Sequence, residues 1–479
     1  MPALLRVLCL LAAWTVPLPA VAQEVVQDVV PQLAGDAPFA DEAKVSAGPA
    51  GGDAGSAPPA AEPGAGEEPD GAGEPEVDLG PVSAAGQRML DRVRGSVVQV
   101  RGFYGTNRSE AFHGSAFAVG PGGVLVTNYH VIARAALNPR DYRLEYHAED
   151  GQVGTLTILA IDVVRDLAVI RAEGLEIPPL PLRTSIPPKG DRAYAVGYPL
   201  QLGLVITEGI ANGRLDNEYG AKLHYAGPMN PGMSGGPAVD SKGRVFGVNV
   251  SISTRGQLIS FLVPAEFVGP LLQLASTPLV PGDARKEVSR QLRGHQAAVL
   301  AALPATFPTQ TSAGYALPAE LTPFVDCTAA VGAPPSKGVL LQSVNCRASA
   351  SVSVQPGLQL GDFQFSHQVM VARDLHPLQF GAQLRKVAAA VRPTAGAAQH
   401  VTPFACKADA VNLNRFKAAV TLCARSYRNY DGLYDLSMVV VSLNHPEQGF
   451  VSSLNIRGMD YAGAMEFAGR YLGAMRWTQ

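Results

Sequence analysis

The chain is poor in charge, in aromatic residues and in cysteine. Of its 479 residues, 16% are Asp, Glu, Lys or Arg, 7% are Phe, Trp or Tyr, and five are Cys. No block of five or more like charges occurs after residue 80, so a nucleic-acid partner is not expected. No apolar run approaches the roughly 18 residues that a membrane-spanning helix needs, so no transmembrane segment is expected. His113, His130 and His147 are evenly spaced but fall on different strands or loops, and no Cys/His cluster has zinc spacing. Neither a metal nor another cofactor is expected.

Glycine and proline, by contrast, are plentiful and unevenly spread. Residues 46–80 hold 23 Gly, Ala or Pro among 35, together with eight acids. Such a segment cannot bury enough apolar surface to offset chain entropy, so residues 23–80 are expected to be a disordered acidic linker. The net charge of −3 hides this division. Residues 24–80 carry 13 acids and one Lys, and residues 81–479 carry 28 acids and 36 bases. Arg6 supplies the remaining positive charge.

Residues 1–22 read as a secretory signal: Arg6, an apolar stretch from Val7 to Val16, and the small-x-small site Ala20-Val21-Ala22. The chain is therefore expected to be exported, to the periplasm or beyond, in a bacterial envelope. Cys9 would leave with the signal. Four cysteines then remain, Cys327, Cys346, Cys406 and Cys423, an even count that favours two disulfides. Three pairings are possible. The local one, 327 with 346 and 406 with 423, is preferred because those partners start closest, and each such loop contributes roughly 3 kcal/mol in chain-entropy terms.

From residue 81 the pattern changes. A helix over Ala84–Arg94 leads into Ser96–Arg101 and eleven further short strands separated by Gly and Pro, then a helix over Pro264–Ala275. Short strands at near-regular spacing predict an all-β barrel or sandwich over 81–276. Residues 277–309 contain an amphipathic helix that Asp283 can cap, read as a connector packed on one domain. Residues 310–479 mix alternating strands with helices over Gln379–Val391 and Asp460–Arg476, a smaller α+β domain. Tyr427, Tyr430 and Tyr434 could face a ligand there, but packing is the better reading.

The most informative string is Asn230-Pro-Gly232-Met-Ser234-Gly-Gly-Pro237. A serine nucleophile must be exposed beside a base, with backbone N–H groups aimed at the developing oxyanion. Glycine before it lets the backbone turn so that those groups converge, and glycine after it leaves room for substrate. The string also fits the G-x-S-x-G elbow of α/β-hydrolases, but a strand rather than a helix follows, and the nearest downstream histidine, His295, falls on a helix with no parallel α/β pattern around it. Upstream, Val126-Thr-Asn-Tyr-His130-Val-Ile ends an apolar strand in a histidine, and Arg165-Asp166-Leu-Ala-Val-Ile170 sets an acid just before a buried strand. Asp162 is the alternative acid.

These strings resemble the trypsin-like protease domain of the HtrA/Deg family: Gly114-Ser-Ala-Phe-Ala-Val-Gly through His130, then Asp166 after 36 residues, then Ser234 after 68 more, then Gly247-Val-Asn. The resemblance covers about residues 84–275. It implies a double β-barrel of the chymotrypsin type with the site in the cleft between barrels. It also implies His130 as general base, Asp166 as its orienting acid, Ser234 as nucleophile, and the N–H groups of Gly232 and Ser234 as oxyanion hole. The sequence departs from the family in several places. Met233 stands where Asn is frequent, and Ser260 where Gly is frequent, which should narrow the primary pocket. Pro228 occupies the pocket-floor position in place of an acid, so cleavage after small or medium apolar residues is expected rather than after Arg or Lys. After residue 275 no carboxylate-binding loop of the PDZ type is found. The expected activity is hydrolysis of protein or peptide substrates. The rival expectations are a catalytically silent, protease-like binding module, and a ligand binder centred on residues 310–479.

Overall fold

The computed structural model of the chain describes residues 83–199, 202–215, 219–252, 258–333 and 336–479. The expected signal segment, Cys9 and the acidic linker lie outside the described residues. A first helix, α1 (Ala84–Val93), is capped by the Ser83 hydroxyl, which accepts from the Gly86 N–H at 3.0 Å. Six strands then close into an antiparallel barrel: β1 (Val97–Tyr104), β2 (Glu110–Ala118), β3 (Val124–Thr127), β4 (Tyr142–His147), β5 (Val153–Asp162) and β6 (Leu167–Ala172), in the order β1-β2-β3-β6-β5-β4. Between β3 and β4 the chain forms α2 (Tyr129–Leu137). Six more strands close a second barrel: β7 (Arg192–Gly197), β8 (Val205–Arg214), β9 (Leu223–Ala226), β10 (Pro237–Asp240), β11 (Val245–Ile252) and β12 (Ser260–Pro264), in the order β10-β11-β12-β9-β8-β7.

The apolar run of β6 shows why the barrels stay together. Leu167 and Val169 enter a core shared with Tyr194, Val196, Val239 and Val245 of the second barrel. Ala168 and Ile170 enter the core of the first. A strand covered on both faces has no polar alternation. A short helix, α3 (Val268–Leu274), seals the inter-barrel core with Val268 and Leu271.

The C-terminal region begins with α4 (Ala284–Ala302). β13 (Thr309–Ser312) and β14 (Tyr315–Pro318) pair with the terminal β24 (Arg476–Trp477) in a small sheet. The main sheet has seven antiparallel strands: β15 (Val325–Val331), β16 (Gly338–Ala348), β19 (Phe363–Arg373), β20 (Ala405–Leu413), β21 (Phe416–Ser426), β22 (Tyr434–Ser442) and β23 (Gln448–Met459), ordered β15-β16-β19-β23-β22-β21-β20. A separate hairpin pairs β17 (Val352–Gln355) with β18 (Leu358–Leu360). α5 (Pro377–Ala390) covers one sheet face through Phe380 and Leu384, and α6 (Tyr461–Gly473) covers the other through Phe467 and Tyr471. Disulfides join Cys327 to Cys346 and Cys406 to Cys423, each linking an edge strand to the strand beside it.

Two expectations need correcting. The Asp283 side chain does not cap α4; it takes the Lys286 ammonium at 3.0 Å instead. Nor does α4 pack on one unit alone. Ala284, Val288 and Leu292 lie in the first-barrel core, whereas Val299 lies in the C-terminal core. Tyr427 and Tyr430 are buried, the first with its hydroxyl on Asp435 at 2.5 Å, so neither faces a ligand.

Candidate active site

His130 is the second residue of α2, which starts directly after β3. The first N–H groups of a helix have no partner within it. Here the Asp166 carboxylate supplies one: Oδ1 accepts from the His130 N–H at 2.8 Å, and Oδ2 lies 2.6 Å from Nδ1 of the same residue. One acid thus caps the helix and fixes the imidazole, and its negative charge suits the positive helix end. Asp166 sits in the turn between β5 and β6 with φ +57°, a left-handed conformation that aspartate tolerates better than most side chains. Asn128 holds it there by donating to its carbonyl at 2.8 Å. Asp162 is spent on the same turn, accepting from the Arg165 N–H at 3.0 Å and from its guanidinium at 2.9 Å.

Burial lowers the basicity of His130, but the charge of Asp166 and its hydrogen bond outweigh that, and the pKa is raised above the usual histidine value. The proton that bridges to Asp166 leaves Nε2 as the free ring nitrogen.

Ser234 comes from the second barrel, in the loop before β10. Gly232 has φ +99° and Gly235 has φ +85°. A Cβ on Gly232 would meet the Tyr198 carbonyl and, at 3.0 Å, the His113 ring, so only glycine turns there. A Cβ on Gly235 would collide with the Ser115 carbonyl and the Thr127 hydroxyl. The space beside Gly235 therefore admits the first barrel, not a substrate, which corrects the reading of that glycine. Among the described residues, the N–H groups of Gly232 and Ser234 have no acceptor, while those of Met233, Gly235 and Gly236 bond to Asn230, Asn249 and Met233 carbonyls. The Ser234 hydroxyl donates to the Val250 carbonyl at 3.2 Å, and no hydrogen bond joins it to His130. The two halves are nonetheless adjacent. A Cβ on Gly114 would meet Val131 at 2.6 Å and the Ser234 carbonyl at 3.2 Å.

Two buried polar residues hold this loop, and sequence reasoning assigned neither. The Ser115 N–H donates to the Ser234 carbonyl at 2.8 Å, and its hydroxyl to the Gly232 carbonyl at 2.7 Å. Asn249 donates through Nδ2 to the carbonyls of Val196 at 3.0 Å and Met233 at 3.3 Å. Both lie inside the strings quoted above, but their role is to pair with backbone, which leaves no spacing signature. Met233 is fully buried in the second-barrel core and anchors the loop by its side chain.

The expected pocket residues are placed less simply. The Ser260 hydroxyl is buried and donates to the Gly227 carbonyl at 2.9 Å, tying β12 to the segment before Ser234. Pro228 is exposed, where a pocket floor should be enclosed.

Two closed antiparallel barrels with these groups at their junction define the class as a chymotrypsin-like fold. The family described as trypsin-like peptidase domain matches residues 114–248. HhoB of Synechocystis sp., named a serine protease, is 32% identical over 163 residues, which cover 32% of this chain and 38% of that protein. A Chlamydia pneumoniae protein named as a DegP-like periplasmic serine endoprotease is 33% identical over 169 residues, covering 33% of each. The crystal structure of a serine endoprotease from Yersinia pestis aligns with 24% identity and a TM-score of 0.36, over 41% of this chain and 68% of that one. The chain thus spans well under half the length of these two curated relatives. Residues 114–248 are similar to a trypsin-like peptidase domain, and both of these relatives are named as serine proteases.

Proposed function

We propose that the protein is an exported serine endopeptidase. The reading is carried by the 2.6 Å contact of His130 Nδ1 with Asp166, beside a serine whose own N–H and that of Gly232 have no acceptor among the described residues. In the reaction, Ser234 Oγ rotates from the Val250 carbonyl toward His130 Nε2. It attacks the peptide carbonyl as Nε2 takes its proton. The Gly232 and Ser234 N–H groups receive the oxyanion. Asp166 holds the ring in the tautomer that leaves Nε2 basic and stabilises the imidazolium. His130 then gives the proton to the leaving amine, and water hydrolyses the acyl-enzyme by the reverse sequence. With Ser260 where the resembled family has Gly and Pro228 in place of an acid, the expected preference is for small or medium apolar side chains. The two disulfides and the names of periplasmic relatives support export.

A second reading, a protease-like binding module that does not cleave, is favoured by one observation. The Ser234 hydroxyl is bonded to Val250 and not to His130. Catalytic hydrogen bonds are often unmade before substrate binds, so this does not displace the first reading. A fluorophosphonate probe separates the two. The wild type is expected to label at Ser234 and to cleave a casein-derived peptide mixture, and Ser234→Ala to do neither while keeping its circular dichroism spectrum. A folded wild type that never labels would establish the binding module.

A further inference from the structure

A cavity of about 900 Å³ opens beside His130, at the upper end of the size that ligand sites occupy. Three parts of the chain wall it. The first barrel contributes the turn from Ile161 to Asp166, and the second contributes Val250 and the segment from Tyr219 to Lys222. The third wall is not part of either barrel: it is one face of α4, including Gly294 and Ala298, with residues 349–353 beyond it.

This third wall is fixed in place. The Gln291 amide donates to the Ile161 carbonyl and accepts from the Val163 N–H, both at 2.7 Å. The Tyr219 N–H donates to the Ser349 hydroxyl at 3.3 Å, and its ring packs edge-on against Phe324 at 4.9 Å and His295 at 5.3 Å. His295 Nε2 lies 2.8 Å from the Ala350 carbonyl. The C-terminal region thus grips the tips of both barrels at the same end of the cleft.

β11 also offers a template there. β10 pairs with it only as far as Val248, and Asn249 still bonds to Gly235 and Gly236. At Val250 the strand register shifts, and its carbonyl turns to Ser234. Among the described residues, no strand pairs with the β10 side of β11 from Val250 to Ile252. An extended peptide can add to such an edge as a strand. Antiparallel addition places the residues before the scissile bond along Val250 to Ile252, away from Ser234.

We propose that α4 and residues 349–353 form part of the substrate-binding site and hold the stretch of an extended polypeptide that lies N-terminal to the scissile bond. The ligand is an unfolded or extended chain of several residues rather than a dipeptide or a small ester. The inference rests on the peptidase reading of His130, Asp166 and Ser234.

Gly294 provides the test. A Cβ built on it meets nothing within 4 Å, so a side chain can start there without a backbone clash, on a residue that lines the cavity. A peptide series with one cleavage sequence and two, four, six or eight residues before the bond is assayed on the full chain. For the wild type, kcat/KM is expected to rise about tenfold or more with length. Gly294→Trp is expected to abolish that rise, with Ala298→Trp as an independent second variant. The rate of fluorophosphonate labelling, which needs only Ser234 and His130, is expected to stay within about twofold of wild type. A wild type that labels but shows no length dependence overturns the cavity assignment. So does a length dependence that survives both variants. A wild type that does not label overturns the peptidase reading, and the inference with it.

Discussion

At the scale of single residues, Asp166 does two jobs with two oxygens, and the consequences can be separated by pH. Its charge and hydrogen bond keep the His130 pKa above the ordinary value of about 6.5 despite burial. In the proposed mechanism His130 must be neutral to take the serine proton, so activity falls as pH drops through that raised value. The acid limb of kcat/KM should therefore lie above pH 6.5. Asp166→Asn keeps a group that can sit in the turn but removes the charge. It should lower kcat by on the order of 10⁴-fold and move the acid limb to lower pH. An acid limb that stays put in the variant would mean that another group sets it. For stability the sign runs the other way. A raised histidine pKa adds stability below its unfolded value, and this is lost as pH rises through the folded one. The proposed site residues His130, Asp166 and Ser234 stand out in sequence because each lies in a run whose neighbours have strong strand or turn character. Ser115 and Asn249 do not, since a buried side chain that bonds to backbone carbonyls looks in sequence like any other polar residue in a strand.

At the scale of elements, what was legible follows how each strand is covered. β19 and β21 alternate because their second face is only partly covered, whereas β23 is buried at nearly every position and shows instead as a long apolar and small-residue run. β15 and β20 carry no such pattern. Most of their residues are exposed, as edge strands permit, so Ala, Thr and Asp follow one another without a period. An open edge also invites pairing with other chains. The disulfides answer both problems, because Cys327 faces Cys346 and Cys406 faces Cys423 in directly opposed positions. Each holds an outer strand that packing alone secures weakly. Replacing one pair by serines should lower the unfolding free energy by about 3 kcal/mol in a chemical denaturation series. Protection against hydrogen exchange should be lost first in β15 for the 327/346 pair and in β20 for the 406/423 pair. Uniform loss across the sheet would show that the bridges act on the unfolded chain alone.

At the scale of the whole molecule, two regions of different architecture share one core. The side chain of Tyr129, next to His130, is fully buried in a cluster that also holds Leu292 of α4, Val354 and Leu360 of the hairpin, and Leu433 before β22. The Arg285 guanidinium adds a hydrogen bond to Asn138 at 2.8 Å, just past the end of α2. Helical periodicity showed that α4 had an apolar face, but a period cannot say which bodies cover it. Residues from both regions meet along its length. Domains joined by small polar contacts move and melt independently. A contiguous apolar core does not divide that way, because exposing Leu360 also uncovers the helix that carries His130. The described chain should therefore unfold in one calorimetric transition, with van't Hoff and calorimetric enthalpies in agreement. Leu360→Ala, far from Ser234 in sequence, should lower the stability of the whole by about 2–5 kcal/mol. Fluorophosphonate labelling should disappear at the same shifted temperature, not at the wild-type one. Two resolved transitions, with labelling following only the one that the variant leaves unmoved, would show that the barrels hold His130, Asp166 and Ser234 in place without help from the C-terminal region.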